Sequence, residues 1–176
     1  MPEVKINRPF SIELGDLIHK ANQPGHNHRI ITIGNPTPWL IDVARENTLH
    51  IERFTHIVDT SAIRHILTRH GDAKEKARGG IPLARTDIEL IPHILSEPNQ
   101  VAFGAISKQG KQLIVYIKQT TDGTLILMEE VRNKTLALKT MRKYPATINV
   151  LLNADLYVRN DGRTPLTIVN FAKIST

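Results

Sequence analysis

The sequence predicts an α+β domain, with N-terminal helices packed on one face of a twisted antiparallel sheet of about four to five strands. Three observations carry this. The chain has 176 residues, 40% of them hydrophobic, enough for one sizeable core and too few for several independent domains. In the first hundred or so residues, apolar side chains recur mostly at helical spacing. From residue 100 onward the pattern changes to period two, in runs separated by short polar turns.

Taken in order, residues 11–22 (SIELGDLIHKAN) place Ile12, Leu14, Leu17 and Ile18 near helical spacing, with Gly15 weakening the pattern. QPGHN is a turn. Residues 29–33 (RIITI) are β-branched and closed by Gly34 and Pro36, which reads as a strand. A short helix follows near residues 39–45, and residues 48–58 offer one or two short strands. Asp59, Thr60 and Ser61 stand at an N-cap before AIRHILTRH, the clearest helix in the chain, and Gly71 supplies its stop. Residues 72–85 (DAKEKARGGIPLAR) are charged and glycine-rich, the composition of an exposed loop. Thr86 caps DIELIPHILSE, where Ile88, Ile91 and Leu95 form a stripe, Pro92 delays or bends the first turn and Pro98 ends the element. Residues 100–107, 112–119, 124–130 and 135–143 are strand-like, joined by KQGK, TTDG and VRNK, so they are sequential antiparallel neighbours. Residues 166–171 add one more strand. Helices on one face leave the other sheet face for a ligand.

Composition removes much chemistry. With no Cys there are no disulfides, thiolate metal sites or Cys nucleophiles. The longest uncharged runs, residues 30–41 and 144–154, fall short of the roughly 18 apolar residues of a membrane span. The start lacks an apolar signal segment, so a cytoplasmic location is expected. Net charge is +6. Residues 62–145 alone carry +6, against −1 before and +1 after, and a basic segment of this kind suggests a polyanion such as RNA. A merely basic solvated surface is the plain alternative.

Eight histidines are many for this length. There is no HExxH, and His65 and His70 stand five apart, about 140° around a helix, so no metal ion and no cofactor are expected. GxSxG, SxxK and phosphate-loop patterns are also absent. General acid–base work by histidine with cationic help remains. Ile63, Ile66, Leu67 and His70 share one helical stripe, while Arg64, His65 and Arg69 turn elsewhere. For His70 a core or C-cap role weighs equally, and for His65 an exposed surface role does. The strand RNKTLALKTMRKY holds five cations and no acidic residue. Strict alternation puts Leu136, Leu138, Thr140 and Arg142 on one face, with Ala137, Lys139, Met141 and Lys143 on the other. Arg142 and Lys139 are phosphate-ligand candidates, Thr140 a hydroxyl donor beside them, although a charged strand also serves to discourage edge pairing. On the neighbouring strand Lys118 shares a face with Ile114 and Tyr116. Tyr116 is a candidate for stacking a base, though eight aromatic residues argue against a dedicated stacking platform.

The order RIITIG, IRHILTRHG, a charged loop, IELIPHILSEPNQV, then strands ending in LALKTMRKY resembles the phage-associated branch of the barnase, EndoU, colicin and RelE-like nuclease superfamily, over residues 29–144. The resemblance implies a metal-independent ribonuclease whose open sheet face binds RNA, of the toxin or effector type that phages and mobile elements encode. By position it points to His65, His70 and Thr140 as the catalytic set, with Ile66, Arg69 and Gly71 completing the helix motif and Lys118 as a looser match. It divides the chain into an N-terminal extension (1–28), the nuclease domain (29–145) and a C-terminal extension packed on it (146–176). That extension runs past the usual end, and the aromatic expected soon after the Thr comes only at Tyr144. RNA is the implied partner, its phosphates met by Arg69, Lys118 and Arg142, with Lys139 and Tyr116 joining them as binding candidates from the strand pattern. An active ribonuclease in a producing cell also needs an inhibitor protein or a delivery route. The rivals are a catalytically silent RNA-binding module of the same fold and an assembly protein of a phage or mobile element.

Overall fold

The computed structural model describes residues 8–25, 28–71, 74–145 and 166–171. Along the chain run α1 (Arg8–Ala21), β1 (Ile30–Gly34), α2 (Pro38–Glu46), β2 (Thr55–Asp59), α3 (Thr60–His70), α4 (Lys74–Ala77), α5 (Arg85–Ile88), α6 (Ile91–Ser96), β3 (Gln100–Ile106), β4 (Gln112–Thr120), β5 (Gly123–Val131), β6 (Thr135–Tyr144) and β7 (Thr167–Asn170).

Helix α1 forms despite Gly15 because Leu14, Leu17, Ile18 and Ala21 are all buried on one stripe. Helix α2 starts where Thr37 Oγ1 accepts from the Leu40 amide at 3.2 Å. In α3 the Asp59 carboxylate accepts from the Ala62 amide at 2.7 Å, the cap expected from the sequence. Gly71 caps α3 with an ordinary φ of −99°, and glycine suits the position because a Cβ there would lie 2.5 Å from the Leu67 carbonyl oxygen. The expected single helix after residue 86 is two. The Asp87 carboxylate accepts from the Ala84 amide at 2.9 Å, starting α5 before Thr86, and Pro92 sits in the first turn of α6.

The sheet departs from expectation. Among the described residues it has seven strands in the order β1-β2-β6-β5-β4-β3-β7, and it is mixed. The four-strand meander β3 to β6 is present, but β2 joins it parallel to β6 over Thr55–Ile57 and Thr135–Ala137, and β7 joins the far edge antiparallel to β3. Short connections identified the meander; strands recruited from distant parts of the chain carry no such local signal.

Helices and one sheet face share the main core, with Leu17, Ile63, Ile66, Ile91, Leu127 and Leu138 among its members. Much of the other face is covered rather than open to a ligand. Ala102, Val115, Ile126, Met128 and Tyr144 form a second buried cluster there.

One irregularity positions the site. Met128 pairs with Thr140 and Glu129 with Leu138, so Lys139 is the extra residue of a β-bulge. The bulge breaks the expected alternation of β6. Leu136, Leu138 and Met141 face the helices, whereas Thr140 shares its side with Met128, and Arg142 with Ile126. Among the described residues, the β2-side edge of β6 beyond Ala137 has no strand partner, only a single bridge from Ile81 to Lys143.

Candidate active site

The C-terminal turn of α3 and the segment around α4 face that edge. There His65, Arg69, His70, Arg78, Lys139, Thr140 and Arg142 line an open cleft of about 440 Å³. Although the two histidines are five residues apart on one helix, their rings meet at 5.8 Å between centroids and 76° between planes. The angle of about 140° holds for Cα directions; side-chain length closes it. His65 is exposed, and His70, on the apolar stripe, is buried.

Electrostatics differ between the rings. Desolvation lowers the pKa of His65 below its ordinary value, and the charges of Arg69 and Lys139 add to this. Desolvation also lowers that of His70; the hydrogen bond and charge of Glu75 oppose it, while Arg142 and His65 reinforce it. Glu75 is fully buried. Its Oε2 lies 3.2 Å from His70 Nδ1, and its Oε1 accepts from Arg142 Nε at 3.0 Å. Burial alone would raise the Glu75 pKa, but these bonds from His70 and Arg142, with their charges, hold it below the usual value. Arg142 also sits over the Tyr144 ring at 5.2 Å. Arg78 donates to the Arg69 carbonyl at 3.3 Å. Lys139 pairs with Glu130 at 3.0 Å. The Thr140 hydroxyl is buried and finds no hydrogen-bond partner among the described residues.

Of the residues singled out from the sequence, His65, His70, Arg69, Lys139, Thr140 and Arg142 therefore come together. Two do not. Lys118 donates to the Glu97 carbonyl at 2.6 Å, on the helix side, where its strand neighbour is Leu125. Tyr116 is fully buried and its hydroxyl donates to Glu129 at 2.5 Å, so it offers no ring to a base. Sequence reasoning missed Glu75 and Arg78 because their segment has the composition of a solvated loop. The Gly79–Gly80 pair was the available signal: Gly79 adopts a φ of +80°, and a Cβ on Gly80 would meet Glu75 Oε1 at 2.7 Å.

Over residues 36–149, about two-thirds of the sequence, the chain matches the family model described as phage-Barnase-EndoU-ColicinE5/D-RelE like nuclease 3. The chain belongs to this nuclease family. Every cleft residue of this phage-type nuclease lies inside the matched stretch. No curated protein and no solved structure matches the chain. Among the described residues no helix of this nuclease is long and apolar enough to cross a membrane, and no group of three or more His, Asp or Glu is placed to hold a metal ion.

Proposed function

We propose that the protein is an endoribonuclease that cleaves RNA by attack of a ribose 2′-hydroxyl on the adjacent phosphorus, with histidines and no metal ion moving the protons. The observation that carries this is the pair of imidazoles 5.8 Å apart in a cleft they share with four cations and a hydroxyl that has no partner among the described residues. His65, exposed and with its pKa lowered by desolvation and the nearby cations, takes the 2′-hydroxyl proton in its neutral form. The oxygen then bonds to phosphorus. His70, whose Glu75 contact favours its charged form, gives a proton to the departing 5′-oxygen as the P–O bond breaks. The products are a 2′,3′-cyclic phosphate and a 5′-hydroxyl. Arg142, Arg69 and Lys139 offset charge on the phosphorane, and the Thr140 hydroxyl donates to a non-bridging oxygen.

Incubation with mixed RNA in EDTA tests this. Fragments ending in 2′,3′-cyclic phosphate are the expected result, and their loss in His65→Ala and His70→Ala ties them to the cleft. Intact RNA overturns the assignment, and a salt-sensitive mobility shift of that intact RNA would instead support a silent binding module. An inhibitor protein that covers this cleft would need to be acidic where it meets Arg69 and Arg78.

A further inference from the structure

We propose that Glu75 is a positioning residue, a carboxylate that fixes the tautomer of His70 with one oxygen and the angle of Arg142 with the other. The kinetic part rests on the nuclease assignment; the structural part does not.

An ionised carboxylate only accepts hydrogen bonds. His70 Nδ1, 3.2 Å from Glu75 Oε2, therefore carries its ring proton, and Nε2 is the nitrogen left for substrate. The same carboxylate takes Arg142 Nε at 3.0 Å, which leaves the two terminal guanidinium nitrogens for a phosphate, while the Tyr144 ring holds the guanidinium from one side. Removing the charge would release both groups at once, since Glu75 is the one acidic side chain bonded to either of them among the described residues.

The surrounding segment is shaped to hold this carboxylate. The Gly80 amide donates to the Glu75 carbonyl at 3.0 Å, and a Cβ on Gly80 would intrude to 2.7 Å from Oε1 and 2.8 Å from Cγ. Beyond it, the Ile81 amide donates to the Lys143 carbonyl at 2.8 Å and the Leu83 amide to the His70 carbonyl at 2.7 Å. An apparently solvated loop thus delivers a buried anion to the edge of the sheet. Other charged or titratable groups near His70 are His65 and Arg69 on its own helix, Arg78 after α4, and Lys139 with Arg142 on β6.

The test is the histidine ring ¹H–¹⁵N spectrum of the full chain, with His70 assigned through His70→Gln. In the wild type, His70 is expected as the Nδ1–H tautomer. In Glu75→Gln the amide offers one acceptor, which Arg142 claims, and turns its N–H toward His70, so the ring is expected to switch to Nε2–H. With the switch, kcat for RNA falls on the order of 10²-fold or more, KM changes less, and the pH limb that reports the acid moves to lower pH. Gly80→Ala, which displaces the carboxylate but keeps it, is expected to act in the same direction. A wild-type His70 in the Nε2–H form overturns the proposal, as does a folded Glu75→Gln with unchanged tautomer and kcat. If Glu75→Gln fails to fold, the wild-type tautomer and Gly80→Ala decide. If the wild type cleaves no RNA, the nuclease assignment falls alone, and the tautomers still decide the role of Glu75.

Discussion

Thr140 carries a buried hydroxyl with no partner among the described residues, which costs stability on the order of 1–3 kcal/mol. Such an arrangement makes sense where a ligand supplies the acceptor. Thr140→Val keeps the shape and removes the orphan, so it is expected to leave stability unchanged or raise it by roughly 1 kcal/mol. Cleavage should fall on the order of 10²-fold, the cost of losing one transition-state donor. Urea titration beside an RNA assay checks both signs, and equal losses in both would refute the donor role. For the histidines, His65→Ala or His70→Ala is expected to lower kcat/KM about 10²–10⁴-fold, roughly 3–5 kcal/mol in barrier. Activity needs His65 neutral and His70 protonated, and desolvation holds both below the ordinary imidazole value of 6.5. A bell-shaped profile with its maximum on the acid side of that value is expected from kcat/KM against pH. At this scale the sequence disclosed residue types but not exposure. Tyr116 and Lys118 read as ligand-facing because a period-two strand looks the same from either face; only packing against the helices turned them inward.

Helix α3 brings both imidazoles to the sheet edge, and its first turn depends on the Asp59 cap. Asp59→Ala is expected to cost about 1 kcal/mol of global stability, measured by chemical denaturation. It should change RNA cleavage far less than either histidine variant, because the cap lies at the opposite end of the helix from His70. The elements most legible in the sequence were those with strong local signals. The Asp59 cap and the turns KQGK, TTDG and VRNK place α3 and the meander to within a residue or two. The bulge at Lys139 was not legible. One extra residue moves every later side chain of β6 to the other face, and whether a strand absorbs it depends on its partner β5, not on its own pattern. That shift carries Thr140 and Arg142 out of the helix-facing row and onto the cleft.

For the molecule as a whole, ionisable groups set both edges of the stability profile. His65 and His70 have depressed pKa values when folded, so the unfolded chain binds more protons and stability falls as pH drops below about 6.5. Glu75 and Glu130, also depressed, extend the loss below about 4.5. On the alkaline side Lys143 is raised, burial working against it but its bonds to Asp122 and Asp87 outweighing that. Burial raises Tyr116 well above its usual value and Tyr144 to about 12. The folded state then keeps protons that the unfolded chain releases, and stability falls above about pH 10. Thermal unfolding across pH is expected to plateau between these edges; a maximum near pH 5 would contradict it. RNA binding engages the whole cleft. With four lining cations and about 0.7 counterion released per phosphate on a single strand, the log–log salt slope is expected near −3. A slope near zero would remove the polyanion interface. The amino-acid order by itself determined the helical first half, the antiparallel meander, the basic middle and the family, because capping, turn chemistry and period are local and survive in one dimension. Tertiary structure alone decided that much of the second sheet face is buried, that β2 joins in parallel, and that Glu75 reaches His70 and Arg142. Each of these depends on contacts between distant segments, whose free energy comes from burial and charge pairing that no local window contains.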